Sequence, residues 1–401
     1  MKTKEIGVIF LNFYITFQAS NTILSKGKEV RLMRVQEGVF QYSDEIGPEK
    51  VLHVYDPKTG MKGILVVDNV ARGPAIGGIR MLPDITTEEV FRLARAMTFK
   101  NAAADIRHGG GKGGIIADPS VENKCELIRA YARAIAPITD YIPGPDMGTD
   151  DRCMAIVYDE IGRAVSLPRE LGGIPVDEIG STGWGVAFST EVACEYIQLD
   201  LSEAIVAVEG FGAVGKATVK FLAEKGAKIV GVSDSGGAIY NPDGLDYDKL
   251  LRVKRTTRTV KNYEQGQAME NVDLFRLPVD VIIPGARPDT ISEKNVHDIK
   301  AKLIVEAANI PATLEAERIL HDQGVLVVPD FIANAGGVIT CAVECRGGTE
   351  REAFEVIKEK IIKNTKVVLD MVHDQKMLPR AAAEKIAKER VLKAMEYRGM
   401  L

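Results

Sequence analysis

The chain has 401 residues, 46% of them apolar and 27% charged, with a formal net charge of −5. That length suits two domains, each with material for its own core. The mildly acidic balance gives no electrostatic case for a nucleic-acid partner, which would require a strongly basic face.

Lys2 and Lys4 precede an apolar run, Val8-Ile9-Phe10-Leu11 and then Phe13-Tyr14-Ile15-Thr16-Phe17. This resembles the charged and apolar parts of a secretory signal. The run is too short to span a bilayer, however, is broken by Asn12, and is followed by no A-x-A site. Residues 1–33 are read as an N-terminal extension, disordered or loosely docked, ahead of a start at Met33.

Residues 34–60 mix polar and apolar side chains around a Pro57-Lys58-Thr59-Gly60 turn signal. Gly63-Ile64-Leu65-Val66-Val67 reads as a strand, and Gly73-Pro74 with Gly77-Gly78 as a loop. Val90, Leu93, Ala94 and Met97 predict a helix over 86–101, capped by Thr86 or Thr87, with Glu88 and Glu89 in its first turn. A glycine-rich loop is expected over 109–114, then a strand at Ile115-Ile116-Ala117 and a helix over 122–135. Near residue 180 the pattern changes to short apolar strands alternating with helices. The strands are expected at 204–208, 228–232, 279–283, 303–305 and 325–328, with a helix at 215–225. That alternation predicts a doubly wound parallel sheet. Amphipathic helices over 353–372 and 380–395 close the chain. The expected class is α/β in two domains, with a helical tail.

Cys125, Cys153, Cys194, Cys341 and Cys345 form no CxxC and have no further ligands nearby. They are read as reduced thiols of a cytoplasmic protein, and no metal site is expected.

Gly210-Phe211-Gly212-Ala213-Val214-Gly215 is a GxGxxG placed directly after a strand and opening a helix, the context that makes the motif specific. The first glycine allows the tight turn, the second lets backbone approach a pyrophosphate, and the third lets helix pack on strand. The helix N-terminus presents free N–H groups to the anion. Asp234 ends the next strand, where a carboxylate accepts the ribose hydroxyls; this favours NAD slightly over NADP. Ser233, Asp234 and Ser235 lie together, so a turn cap is the competing reading.

His108-Gly109-Gly110-Gly111-Lys112-Gly113-Gly114 is not a phosphate loop, because Gly113 stands where Ser or Thr is needed. Five glycines leave Lys112 little side-chain cover. A lysine desolvated in a cleft favours its neutral form and suits acid–base chemistry. Lys100 ends the preceding helix, and two converging lysines would hold a carboxylate and polarise a carbonyl or imine. Asp146, in Pro145-Asp146-Met147-Gly148-Thr149, offers a carboxylate on a constrained loop.

Eight segments in order resemble the glutamate/leucine/phenylalanine/valine dehydrogenase superfamily. They are Gly73-Pro74-Ala75-Ile76-Gly77-Gly78-Ile79-Arg80, Met97-Thr98-Phe99-Lys100-Asn101-Ala102, residues 109–114, and Pro145-Asp146-Met147-Gly148-Thr149. Further on are Ser181-Thr182-Gly183-Trp184-Gly185, the GxGxxG, Glu306-Ala307-Ala308-Asn309, and Asn334-Ala335-Gly336-Gly337-Val338. The resemblance implies a substrate-binding and oligomerisation domain over 34–178, a Rossmann-type NAD(P) domain over 179–345, and helices over 346–401 that return to the first domain. It implies that Lys100 binds the substrate α-carboxylate, Lys112 activates water, and Asp146 shuttles protons. Thr182, Asn309 and Asn334 would position nicotinamide and ribose. The reaction would be oxidative deamination of an L-amino acid to its 2-oxo acid and ammonia, in a hexamer or octamer, with no nucleic-acid or membrane partner.

Glutamate enzymes of the family carry a lysine where this chain has Ile76, and a serine where it has Cys341; both contact the side-chain carboxylate. Leaving that carboxylate unpaired would cost several kcal/mol. With Ile76, Gly77, Met97 and Cys341 around the substrate, a leucine, valine or phenylalanine type substrate is expected. Glutamate is the alternative, because the glycine–lysine segment, Asn241-Pro242-Asp243-Gly244 and the tail Tyr397-Arg398-Gly399 look more like glutamate enzymes; Arg80 or Arg107 would then hold the carboxylate. Malic-enzyme or folate-linked chemistry would not need Lys100, Lys112 and Asp146 together, and a non-catalytic NAD-binding protein would not need all three.

Overall fold

In the computed structural model, which describes residues 39–401, the 57–60 turn joins β1 (Lys50–Asp56) to β2 (Met61–Asn69) as an antiparallel hairpin. Gly60, at φ +73°, donates its N–H to Asp56 O at 2.8 Å. The N-terminal extension lies outside the described residues. Tyr42–Leu401 form one compact unit.

The chain continues through β3 (Ala75–Leu82), α1 (Thr87–Ala103), β4 (Gly109–Ile116), α2 (Lys124–Ile135), β5 (Tyr141–Pro145) and α3 (Asp151–Ile161). The strands form one sheet in the order β1-β2-β4-β3-β5, antiparallel as far as β4 and parallel beyond it. Thr86 caps α1, accepting from Glu89 N at 3.2 Å.

Two expectations need correction. Residues 109–114 are not a loop but most of β4, a central strand, and Gly77 and Gly78 lie inside β3. The glycines are there because neighbouring backbone and rings occupy the space of a side chain. A Cβ on Gly110 would sit 2.0 Å from Thr98 N on α1, and one on Gly77 would sit 1.6 Å from Gly111 O. On the other face of β4, a Cβ on Gly113 would meet Tyr131 Oη at 2.6 Å, and one on Gly111 would meet the Tyr141 ring at 2.9 Å. Both tyrosines are fully buried and donate their hydroxyls to backbone, Tyr131 to Ile64 O at 2.8 Å and Tyr141 to Gly77 O at 2.7 Å.

After α4 (Val176–Ile179) and α5 (Ser181–Tyr196), the second sheet is built from β6 (Ile205–Glu209), β7 (Lys228–Asp234), β8 (Gly237–Tyr240), β9 (Gln267–Met269), β10 (Val281–Pro284), β11 (Leu303–Val305) and β12 (Leu326–Val328). Its order is β12-β11-β10-β6-β7-β8-β9. The strands from β12 to β7 are parallel, as the alternating pattern predicts. The antiparallel edge made by β8 and β9 was not foreseen. Helices α6 (Ala213–Glu224), α7 (Tyr247–Thr257), α8 (Leu314–Asp322), α9 (Asp330–Ala333) and α10 (Gly336–Cys345) complete this part.

The long α11 (Glu350–Gln375) and α12 (Pro379–Tyr397) follow. Ala102 and Ala103 at the end of α1 share a buried cluster with Val368 and Leu369 of α11 and Ala383 and Ala387 of α12. Among the described residues no helix is long and apolar enough to cross a membrane.

Replacing Gly110 by alanine should force α1 off β4 and cost about 3 kcal/mol of stability through overpacking. Urea denaturation against the parent reads this directly; an unchanged midpoint would show that α1 can give way without penalty.

Candidate active site

Lys112 occupies the one position of the 109–114 run that carries a side chain, on the same face of β4 as Gly110 and Gly114, the face that α1 covers. It is buried, and its ammonium pairs with Asp146 Oδ2. Asp146 follows β5 at the head of a tight turn, in which Thr149 Oγ1 accepts from Asp146 N at 2.9 Å and donates to Ile79 O at 2.7 Å. Gly148 takes φ +81° there, with its backbone against Met81 O. Arg80 of β3 donates to Asp146 Oδ1 at 3.2 Å and to Glu89 at 2.8 Å. Desolvation, reinforced by the nearby Arg80 and Lys100 charges, brings the Lys112 ammonium down to about 7.

Lys100 stands in the last turn of α1. Its Nζ reaches Asn309 Oδ1 at 3.5 Å, a contact across the cleft between the two sheets. Desolvation lowers the Lys100 ammonium, against the attraction of Asp330. Met97, three residues earlier, lies half-buried on the same side of α1. The structure thus brings Lys100, Lys112 and Asp146 together, with Arg80 as a member that sequence reasoning had weighed only as a partner for a substrate side chain.

Ile76 packs with Ile142 and Val165 in a buried apolar cluster against which Cys341 of α10 lies. Ile142, Val165 and Ser166 were not picked out from sequence. Ser166, at φ +58°, places its hydroxyl 3.6 Å from Cys341 Sγ. Its N–H and that of Leu167 donate to Glu344 at 2.7 and 2.9 Å. Burial pushes the Cys341 thiol up to about 12, so it stays neutral. Gly77 meets the Gly111 backbone and offers no side chain to this wall. Arg80 is committed to Glu89 and Asp146, and Arg107 is exposed.

Strand order reverses at β6, which has β7 on one side and β10 on the other; in open α/β sheets ligands bind at the carboxyl end of that switch point. There Gly210 turns at φ +92°, and a Cβ on Gly215 would sit 1.9 Å from Gly210 O. A Cβ on Gly212, by contrast, would meet nothing within 4 Å. Gly212 and Ala213 are exposed, Val214 is half-buried, and no side chain caps the start of α6. The uncapped N–H groups and open backbone suit a pyrophosphate.

Thr182 opens α5 beside the start of α10, where a Cβ on Gly337 would lie 3.2 Å from its Oγ1. Asn334 is buried and donates to Asn309 Oδ1 at 3.1 Å, while its own Oδ1 has no partner and remains free to accept. These groups fit a dinucleotide.

Asp234 is different. Its Oδ1 accepts from Gly236 N at 2.8 Å and Thr259 Oγ1 at 2.9 Å, and its Oδ2 from Lys254 Nζ at 2.7 Å and Val260 N at 2.8 Å. Four donors fill the acceptor sites of a carboxylate. In this structure it performs the competing task, fastening the 254–260 segment to the end of β7, so the slight preference for NAD loses its support.

Residues 172–399 match the Glutamate/Leucine/Phenylalanine/Valine dehydrogenase family, and residues 48–163 match the Glu/Leu/Phe/Val dehydrogenase dimerisation domain. The chain belongs to this family. It is 43% identical to a glutamate dehydrogenase of Aeropyrum pernix over 83% of its own length and 85% of that protein's. The figure is 37% for an NADP-specific glutamate dehydrogenase of Saccharolobus shibatae, covering 88% and 90%. It is 38% for an NAD-specific one of Staphylococcus aureus, covering 82% and 84%.

Solved structures agree in fold. A hetero-hexameric glutamate dehydrogenase from Thermus thermophilus superposes with a TM-score of 0.78 at 28% identity, over 89% of this chain and 92% of that one. L-tryptophan dehydrogenase from Nostoc punctiforme gives 0.71 at 28% identity, over 87% and 97%. The enzyme is an amino-acid dehydrogenase that uses NAD or NADP.

Replacing Asp234 by alanine should cost about 2 kcal/mol of stability, since it strands buried donors. Chemical denaturation measures it. A variant that kept full stability but lost cofactor affinity would return the carboxylate to the ribose.

Proposed function

We propose that the enzyme oxidatively deaminates an L-amino acid with an apolar side chain, of leucine, valine or phenylalanine type, releasing the 2-oxo acid and ammonia. The apolar wall of Ile76, Ile142 and Val165, with the neutral Cys341 thiol, carries this reading. Lys100 is assigned here to the α-carboxylate, and Arg80 gives Nη1 to Glu89 and Nη2 to Asp146, with only its buried Nε unpartnered. Side-chain choice is made where the side chain is bound, and a buried unpaired charge is strongly disfavoured. Glutamate is the second reading, favoured by the names of the relatives.

NAD or NADP, when bound, supplies the acceptor for hydride from the substrate Cα. The 210–215 backbone and the start of α6 would hold its pyrophosphate, with Thr182, Asn309 and Asn334 around ribose and nicotinamide. The protein groups do the rest. Lys100 anchors the α-carboxylate. Lys112, neutral above about 7, takes a proton from the water that attacks the iminium carbon formed on the substrate. Asp146, held by Arg80, exchanges protons with the substrate amine.

Assembly as a homo-oligomer, hexamer or octamer, is proposed alongside. It is supported by the match of residues 48–163 to a dimerisation domain and by the hexameric Thermus relative. A cytoplasmic location fits the five free thiols.

Initial rates with purified enzyme, reading NADH and NADPH formation on leucine, valine, phenylalanine and glutamate, test the substrate. An apolar amino acid should exceed glutamate about a hundredfold in kcat/KM, roughly 2.7 kcal/mol, and Ile76→Lys should reverse the order. Glutamate winning in the parent would overturn the pocket reading and leave the family assignment intact.

The pH profile tests the base. Water activation needs the neutral amine, so deamination kcat/KM should rise as pH increases through about 7. Lys112→Gln should remove that limb and about 10²- to 10⁴-fold of the rate; an unchanged profile would transfer the role to another group.

A further inference from the structure

Cys341 and Glu344 lie three residues apart on α10 and so share one side of it. Cys341 lies against the apolar wall of Ile76, Ile142 and Val165. Glu344, half-buried a turn further on, takes part in no step described above. Its Oε2 accepts from Ser166 N at 2.7 Å, its Oε1 accepts from Leu167 N at 2.9 Å, and Ile174 adds a third backbone bond. Desolvation pushes this carboxyl up, against those three backbone donors, and no cation is among the groups that act on it. A carboxylate is costly to bury without a cation, so it contributes little stability for its own sake.

The segment it grips explains its presence. Ser166 takes φ +58°, a left-handed conformation that a residue with a side chain keeps only where its surroundings enforce it. The chain is anchored on both sides of this point. Before it, Val165 N donates to Pro143 O of β5 at 2.8 Å. After it, Gly173 packs so closely on the preceding turn that a Cβ there would sit 2.0 Å from Leu167 O. Between these anchors the N–H groups of residues 166 and 167 turn to α10, and one carboxylate takes both.

The result is a particular pocket wall. The Val165 side chain is fully buried beside Ile76 and Ile142, and the Ser166 hydroxyl lies 3.6 Å from Cys341 Sγ. One side of α10 thus supplies both a wall residue, Cys341, and the group that sets the residues opposite it.

We propose that Glu344 is a positioning residue for substrate selection, which sets the shape of the side-chain pocket by holding Val165 and Ser166 against Cys341. This rests on the pocket proposed above, and not on which side chain fills it.

The test uses the full-length enzyme with Glu344→Gln, Glu344→Asp and Val165→Ala. The value of kcat/KM is measured on amino acids that differ only in the side chain: 2-aminobutyrate, norvaline, norleucine, leucine, phenylalanine and glutamate. The Kd for NADH or NADPH, whichever the parent prefers, and the thermal midpoint are measured on the same samples. An amide places its NH2 against one of the two N–H groups, so Glu344→Gln releases the segment. It should change the kcat/KM ratio between the two best amino acids at least about fivefold, with the reduced-cofactor Kd within about twofold of the parent. Val165→Ala should shift the same ratios.

If Glu344→Gln does not fold, Glu344→Asp, which keeps both acceptors one methylene short of the segment, decides by the same ratio. A lowered midpoint with every ratio within about twofold of the parent would mean that the carboxylate only stabilises, and would overturn the proposal. If Val165→Ala shifts the ratios while the Glu344 variants leave them, the pocket reading stands and the positioning role fails. If Val165→Ala leaves every ratio unchanged, the pocket reading fails and the role of Glu344 falls with it.

Discussion

The contact between α1 and β4 is the constraint on which the rest of the site depends. A helix can lie with Thr98 N almost on the backbone of a strand only where the residues directly beneath it lack side chains, and Gly110 and Gly114 provide this on either side of Lys112. The same alternation that clears the space leaves Lys112 as the only side chain of the 109–114 run. The glycines are therefore not a flexible hinge. They let two backbones approach closely enough that a lysine on the helix and a lysine on the strand share one cleft.

The cleft's electrostatics follow from that crowding. Lys100, Lys112 and Arg80 converge around Asp146, with Glu89 on the far side of Arg80, and the Arg80 and Lys100 charges raise the cost of protonating Lys112. Asp146 is held from both sides, by Arg80 on one oxygen and Lys112 on the other, in a turn that Gly148 and Thr149 keep rigid. A carboxylate fixed in this way beside a lysine poised near neutrality suits the acid–base roles proposed above. The dinucleotide crevice is simpler, an open backbone at the switch point of a parallel sheet.

Much of this was legible from the chain alone, and the failures have physical causes. The β6–α6 unit declares itself because strand, glycines and helix are contiguous. Lys100, Lys112 and Asp146, which the fold brings together, could be singled out because their motifs are local. β4 was misread because a strand of glycines has no apolar alternation to detect; its hydrophobic faces belong to Tyr131, Tyr141 and α1. The saturation of Asp234 could not be seen because Lys254, Thr259 and Val260 arrive from 20 or more residues away. The members of the apolar wall, Ile142 and Val165, are ordinary core residues until the fold places Cys341 beside them.

The buried Lys112 also links catalysis to folding through the proton. Its ammonium has an ordinary value of 10.5 in an exposed chain and about 7 in the folded one. Between those two points the unfolded chain binds a proton that the folded chain does not. This group therefore makes the native state more stable as pH rises from about 7 towards 10.5, and least stable below that window. Folding pays for the reactive amine, and alkaline conditions relieve the strain. Selection for heat tolerance at acidic pH would therefore favour loss of the amine proposed to serve as the base, so that selection for stability and for the proposed activity pull in opposite directions at this one position.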